Sequence, residues 1–223
     1  MITDTLFADR TEAGRYLARR LAGRVDGAVV VYALPRGGVP IALEIARELD
    51  APLDLAMVRK IGAPGYPELA LAAVSDGKTP RVVINESVLQ KTGASRDYLL
   101  HEAAKELKEI ERRRTLYFGN RDRPDPIGKT AIVVDDGLAT GATARVAVEA
   151  LRRQGAAKII LAVPVAPRGA AAELRAIVDE FVCLLEPEVF SSVSSFYDDF
   201  HQLTDAEVVT MLDEAATFGS AKV

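Results

Sequence analysis

Ile132-Val133-Val134-Asp135-Asp136-Gly137-Leu138-Ala139-Thr140-Gly141-Ala142-Thr143 is the stretch on which the fold turns. It opens with β-branched apolar residues and no polar alternation, the pattern of a strand buried on both faces. It closes in small and hydroxyl residues that lead into Thr143–Gln154. There Val146, Val148 and Leu151 form an apolar stripe at helical spacing, and Gly155 supplies a stop signal. Working outward, Ala28–Ala33, Leu53–Val58, Lys158–Val163 and Glu180–Leu184 read as further strands. Helical segments lie between them, at Pro40–Leu49 (Ile41, Leu43, Ile45 and Leu49 on one stripe) and at alanine-rich Arg168–Ile177. Strand, helix, strand at this pacing predicts an α/β fold: a doubly wound, mostly parallel sheet of about five strands.

Two regions break the alternation. Gly62–Asn85 carries Gly62, Pro64, Gly65, Pro67, Gly77 and Pro80, and reads as a mobile loop plus a hairpin inserted after the second strand. Asp97–Tyr117 follows as a charged helix with Leu100, Ala103, Ala104, Leu107 and Ile110 on one face. Beyond Leu185 no further core strand is expected, and Thr204–Ala216 reads as a terminal helix that Thr204 caps. The expected organisation is one domain over residues 1–223. Its core runs from about 22 to 185, a lid and hairpin insertion from about 62 to 95, and a hood from about 186 to 223, joined by an N-terminal helix.

Composition bounds the function. Apolar residues make 49% and charged residues 27% of the 223, ordinary for a globular chain and unlike disordered or coiled-coil sequences. Lys+Arg 28 against Asp+Glu 32 gives a net charge of −4, which argues against a dedicated nucleic-acid binder. One cysteine, Cys183, excludes an intrachain disulfide and makes the reducing cytoplasm the expected compartment. The start lacks a signal-peptide pattern, and apolar runs such as Ala28–Leu34 fall far short of the ~20 residues that span a bilayer. Lone His101 and His201 and the single cysteine give no structural-zinc spacing. Gly128-Lys129-Thr130 lacks the upstream glycine of a Walker loop, since Arg123 stands there.

Ligands of open α/β sheets bind at the carboxyl ends of strands, so those ends carry the chemistry. After the strand ending at Val134, Asp135 and Asp136 suit paired sugar hydroxyls. The turn Ala139-Thr140-Gly141-Ala142-Thr143 offers free N–H groups, two hydroxyls and a helix N-terminus to a phosphate. A sugar phosphate satisfies both halves. After the first strand, Leu34-Pro35-Arg36-Gly37-Gly38-Val39-Pro40 offers exposed amides at Gly37 and Gly38 and the fixed cation of Arg36. After the second, Arg59-Lys60-Ile61-Gly62 places two cations where an anion would sit.

The segment Ile132–Thr143 resembles the signature of type I phosphoribosyltransferases: a hydrophobic strand, two acidic residues, then a phosphate loop. Gly137 departs from that pattern, standing where a larger aliphatic is usual. The resemblance extends loosely from Ala28 to Phe200. It implies transfer of a 5-phosphoribosyl group from phosphoribosyl pyrophosphate (PRPP) to a nitrogenous base, with release of pyrophosphate, in nucleotide salvage. It implies that Asp135 and Asp136 hold the ribose hydroxyls and meet Mg2+ indirectly, through those hydroxyls or water. Ala139, Thr140, Gly141, Ala142 and Thr143 would hold the 5-phosphate, and Arg36, Gly37, Gly38, Arg59 and Lys60 the pyrophosphate. The loop after the first strand often contains a non-proline cis peptide in the family, and the matching bond here is Pro35–Arg36. Ala63–Glu68 is similar to the family's catalytic lid, with Glu68 the candidate general base. The tail Glu180–Phe190 and Ser195–Phe200 resembles the ending of hypoxanthine-guanine phosphoribosyltransferases and makes Phe190 the candidate base-stacking residue. A homodimer is the common family assembly.

Other departures leave the acceptor open. Ala139 stands where the hypoxanthine-guanine type has an aspartate, and Pro164-Val165-Ala166-Pro167 lacks that type's lysine. The Arg59-Lys60 and Ala139-Thr140-Gly141 steps look like the adenine type instead. Two alternatives therefore stand beside the transferase: a PRPP-binding regulatory protein without catalysis, and a sugar-phosphate hydrolase using the same loop.

Overall fold

The computed structural model describes residues 7–76, 81–119 and 121–219, without the side chains of Pro67, Glu68 and Arg81. A five-stranded parallel sheet is built from β1 (Val29–Ala33), β2 (Leu53–Leu55), β6 (Thr130–Val134), β7 (Lys158–Val165) and β8 (Glu180–Leu185) in the order β2-β1-β6-β7-β8. The chain starts in the middle, steps outward to β2, then returns to the other side of β1. The crossover direction therefore reverses between β1 and β6. Such a switch point is where open α/β sheets commonly bind ligands, in the crevice beyond the carboxyl ends of the strands.

The sheet is buried because its strands carry apolar residues on both faces. Val31, Ala33, Ile132, Val134, Ile160 and Ala162 point to the face covered by α1 (Arg10–Leu21) and α2 (Gly38–Leu49), through Leu17, Ile41 and Ile45. Val30, Tyr32, Ala131, Val133, Ile159 and Leu161 point to the face covered by α5 (Ala142–Arg153) and α6 (Arg168–Arg175), through Val148, Leu151 and Leu174. Truncating one such large side chain costs about 2–5 kcal/mol. α1 thus covers the core, packing on α2 and on β7 and β8, while its first residue reaches the C-terminal segment.

The second strand is shorter than the run Leu53–Val58 suggests. It stops at Leu55, and Val58 already begins β3 (Val58–Ala63). With β4 (Tyr66–Ser75) and β5 (Arg81–Ile84), β3 makes a separate three-stranded antiparallel sheet. The expected lid loop at Ala63–Glu68 is the tip of its first hairpin, with Ala63 paired to Tyr66 across Pro64-Gly65. Pro followed by Gly suits a tight two-residue turn, and this pair closes the hairpin instead of opening a loop. The sequence pattern gives no sign of helix α3 (Glu86–Thr92); Asn85 caps it by accepting from the Val88 amide at 3.3 Å. The charged helix α4 (Arg96–Phe118) then packs across β3 and β4.

One seam ties the two sheets together. Asp54 in β2, only 4% exposed, accepts two bonds from Arg114 of α4, at 2.6 and 2.9 Å. Arg114 also reaches Asp76, just past β4, at 3.0 Å, and Arg123 bonds the same carboxylate. Burial pushes Asp76 up to about 6, against the pull of both arginines, and pushes Asp54 upward as well.

The C-terminal segment holds a short 3-10 turn at Val193–Phe196 and helix α7 (Asp205–Ala215). Thr204 caps α7 as expected, in a reciprocal capping box with Glu207. Backbone bonds run from the Phe7 amide to the Phe196 carbonyl, from Asp198 to Phe7 and from Asp199 to Ala8. They stitch the start of the described chain to its hood.

Candidate functional site

Several of the residues expected to form the site meet at the crevice between β1 and β6. Its floor is a contact between two loops. The Leu34 amide donates to the Val134 carbonyl at 2.8 Å, so the segments after β1 and β6 leave the sheet side by side. The Pro35–Arg36 peptide is cis. Gly37 follows, pressed against the acidic pair: a Cβ there would stand 2.0 Å from Asp136 Oδ2. Only glycine permits that approach. The Gly38 amide, expected to be exposed, donates instead to the Leu34 carbonyl at 3.0 Å as α2 begins, so it is already satisfied.

Asp135 and Asp136 sit half-buried at the end of β6. The Asp135 carboxylate accepts the Asp136 amide at 3.0 Å. Burial raises Asp135 well above the usual carboxylate range, and the neighbouring Asp136 charge raises it further. Burial raises Asp136 too, while Arg10 pulls it back down. Arg10 Nε lies 2.9 Å from Asp136 Oδ2. Composition and spacing do not single out Arg10, because its partner is 126 residues away. One local signal exists. Arg10 occupies the first position of α1, where the helix dipole disfavours a cation. An arginine there needs a partner elsewhere.

The Ala139–Thr143 turn leads into a helix N-terminus. Gly141, at φ +71°, is the N-cap of α5. Ala139, Thr140, Ala142 and Thr143 are exposed. The Arg145 amide is the first to meet a helix-side carbonyl, that of Gly141 at 2.9 Å. Among the described residues, no carbonyl accepts from the Thr143 or Ala144 amides, and the Ala142 amide has only the Thr140 hydroxyl at 3.4 Å. A bare helix N-terminus beside two carboxylates is a place for a phosphate with a polyol attached.

The unusual Gly137 has a physical reason. At φ +156° its missing side chain leaves room for Val193 of the hood and Val165 of β7; a Cβ would stand 2.6 and 2.8 Å from their methyls. Tyr197 adds to the closure by donating its hydroxyl to the Asp136 carbonyl at 2.6 Å. Phe190 stacks on Phe196, with ring centroids 5.8 Å apart and planes at 20°. The candidate base-stacking ring therefore already has an aromatic partner.

The remaining candidates lie farther out. Arg36 leans toward α7, with its guanidinium 3.7 Å from Asp205, which also accepts the Tyr117 hydroxyl. Arg59 and Lys60 are on β3 of the second sheet, not at the end of a parallel strand. Arg59 is held by Glu106 of α4 at 2.6 Å, and strand alternation sends Lys60 to the opposite face of β3. Glu68 has its main chain in β4; its side chain lies outside the described residues. Among the described residues no cluster of three His, Cys, Asp or Glu could cage a metal ion, and no helix is long and apolar enough to cross a membrane.

The chain has known relatives. The family model of the phosphoribosyl transferase domain matches residues 10–201. Two curated proteins of Mycobacterium tuberculosis are similar: "Putative phosphoribosyl transferase MT0597" of strain CDC 1551 / Oshkosh and "Putative phosphoribosyl transferase Rv0571c" of strain ATCC 25618 / H37Rv. Each is 45% identical over 210 residues, covering 94% of this chain and 47% of the relative. The chain thus spans about half the length of the curated relatives it matches. The crystal structure of TT1426 from Thermus thermophilus is 38% identical, with a TM-score of 0.82 over 94% of this chain and 98% of that one. The strand-end carboxylates and the bare α5 N-terminus lie within the matched span, and the chain belongs to the phosphoribosyl transferase domain family, that of the type I phosphoribosyltransferases.

Proposed function

We propose that this chain binds PRPP in the β1/β6 crevice and transfers its 5-phosphoribosyl group to a nitrogenous base, releasing pyrophosphate. One observation carries the reading. Two half-buried carboxylates, answered among the described residues by a single arginine, adjoin a helix N-terminus with unmet amides. The amides of Thr143 and Ala144 and the hydroxyls of Thr140 and Thr143 would hold the 5-phosphate. Asp135 would accept the ribose hydroxyls. Its charge, close to the anomeric carbon, favours the positive charge that develops there as the pyrophosphate bond breaks. Arg36 would turn from Asp205 toward the pyrophosphate, with the Gly37 amide beside it.

The residues present fit Mg2+ as a companion of the donor, since such an ion commonly binds through one or two carboxylates and substrate oxygens without an all-protein cage. When bound it would neutralise the leaving pyrophosphate. Glu68 stays the candidate proton acceptor, and Glu68→Gln is expected to lower turnover. Function in the cytoplasm and as a homodimer belongs to the same reading.

The second reading, a PRPP-binding regulator without catalysis, is favoured by the acceptor side. Ala139 and Pro164–Pro167 bring no ionisable group to read a base, and one face of Phe190 is taken by Phe196. Pyrophosphate release from PRPP, measured with and without a panel of bases, separates the readings. Base-dependent release supports the transferase. Tight binding with no release supports the regulator, and release without acceptor supports a hydrolase. Calorimetry tests the site itself: Asp135→Asn with Asp136→Asn should weaken PRPP binding far more than Asp198→Asn with Asp199→Asn, and the reverse ranking would move the site elsewhere.

A further inference from the structure

We infer that Arg10 is a positioning residue for the donor site: it locks Asp136 to the hood and leaves Asp135 as the carboxylate presented to the ligand. This inference rests on the PRPP reading of the crevice and goes beyond it by dividing the labour of the acidic pair.

The geometry comes from both sides of Asp136. Its Oδ2 takes the Arg10 Nε at 2.9 Å and presses on Gly37, where no side chain fits. Its carbonyl takes the Tyr197 hydroxyl at 2.6 Å. Both the main chain and the side chain of Asp136 are therefore fixed by residues of α1 and the hood. Arg10 is itself held on three sides. Its Nη1 donates to the His201 carbonyl at 3.0 Å, its guanidinium lies 3.7 Å over the Phe200 ring, and it is only 8% exposed. The stitching of residues 7 and 8 to 196–199 brings these partners together.

A planar, forked cation suits this place. Guanidinium can bond a carboxylate and a carbonyl in one plane while an aromatic ring covers its face; a lysine ammonium supplies the charge without the fork. The Asp135 carboxylate is tied more lightly: it accepts the Asp136 amide, which leaves carboxylate capacity for a ligand. The pair is thus asymmetric. Asp136 sets the shape and Asp135 faces the sugar. Groups that orient metal-ligating side chains typically change affinity by roughly 10–100-fold when removed, and the same order is expected of one that orients a carboxylate beside the ligand.

The test is a double-mutant cycle on PRPP affinity, by calorimetry well below the melting temperature. Arg10→Met should weaken binding by roughly 10–100-fold and Arg10→Lys by less. Arg10→Met combined with Asp136→Asn should bind no worse than Asp136→Asn alone, because Arg10 acts through Asp136. Leu212→Ala, a core truncation about two turns along α7 from Asp205, should bind like wild type despite its lower stability. Wild-type affinity in Arg10→Met, additive losses in the double variant, or an equal loss in Leu212→Ala would each overturn the inference. If Arg10→Met fails to fold, the same cycle run with Arg10→Lys decides it. A wild type that binds no PRPP would instead overturn the donor-site reading itself.

Discussion

Two clusters of buried carboxylates lie in this molecule, and they differ in charge balance. At the seam, Asp54 and Asp76 face Arg114 and Arg123, two against two. In the crevice, Asp135 and Asp136 face Arg10 alone among the described residues. At the seam Asp54 and Asp76 are each bonded by guanidinium, and the result joins β2 to the second sheet and α4. The crevice is left one negative charge over. A structural cluster has no reason to keep such an excess in a half-buried place, where burial and mutual repulsion push Asp135 upward. Such an excess is what the proposed donor site needs, since a bound cation and hydroxyl groups would satisfy it.

The comparison can be broken most sharply at the seam. Arg114→Met abandons Asp54 and Asp76 in the interior and should cost about 3–5 kcal/mol in urea unfolding at pH 8. The loss should shrink at pH 5, because the abandoned carboxylates escape by taking protons. A pH-independent loss would mean that the bonds of Arg114 are not what holds the sheets together.

The next largest effects separate the members of the acidic pair. Asp136→Asn leaves Arg10 buried beside a neutral amide and should destabilise by about 1–3 kcal/mol. Asp135→Asn should do the opposite. Its folded-state pKa is raised above the unfolded value, so its protonation stabilises the native state fully below about pH 4, the unfolded value. That contribution is lost as pH rises through the folded value. An asparagine avoids the loss, and Asp135→Asn should gain roughly 1 kcal/mol at neutral pH while losing PRPP affinity. Thermal melts of the two variants at pH 7.5 check the signs. Equal shifts would erase the asymmetry.

A smaller effect sharpens the hood's share. Gly137→Ala pushes a methyl into Val193 and Val165 and should cost about 1–3 kcal/mol, with Val193→Ala giving back part of it in the double variant. The smallest effect concerns the His201 ring, whose pKa is raised by Asp199 and Glu207 at 3.0 and 3.1 Å. Its contribution is present below about pH 6.5 and fades as pH climbs through the raised folded value. His201→Gln should slightly flatten the melting temperature against pH between about 6 and 8, while an unchanged slope would remove the ring from the hood's fastening.

The features readable in sequence are those encoded locally. The parallel strands, the helices after them and the Ile132–Thr143 segment carry their pattern in contiguous residues, and the structure places them with shifts of a residue or two, except that the second strand stops three residues early at Leu55. The second sheet is only half visible. Leu55-Ala56-Met57-Val58 is apolar throughout, so nothing in the sequence marks the two-residue gap at Ala56 and Met57 where the chain leaves one sheet for another. That gap moves Arg59 and Lys60 off the parallel sheet. Arg10 and Gly137 are harder for a different reason. Their meaning lies in Asp136 and Val193, and only packing brings such distant residues together.

β6 also works as a ruler. Its residues Thr130–Val134 alternate between two sealed faces, with Asp135 and Asp136 at the end of the count. Inserting or deleting a single residue there would move the pair by about 3.3 Å and turn every preceding side chain to the wrong face. Changes of length are thus shut out upstream of the site, while the exposed turn at Pro64-Gly65 stands under no such restriction. Chemical variation in this crevice must come through substitution in place, and variation by insertion belongs to the hairpin.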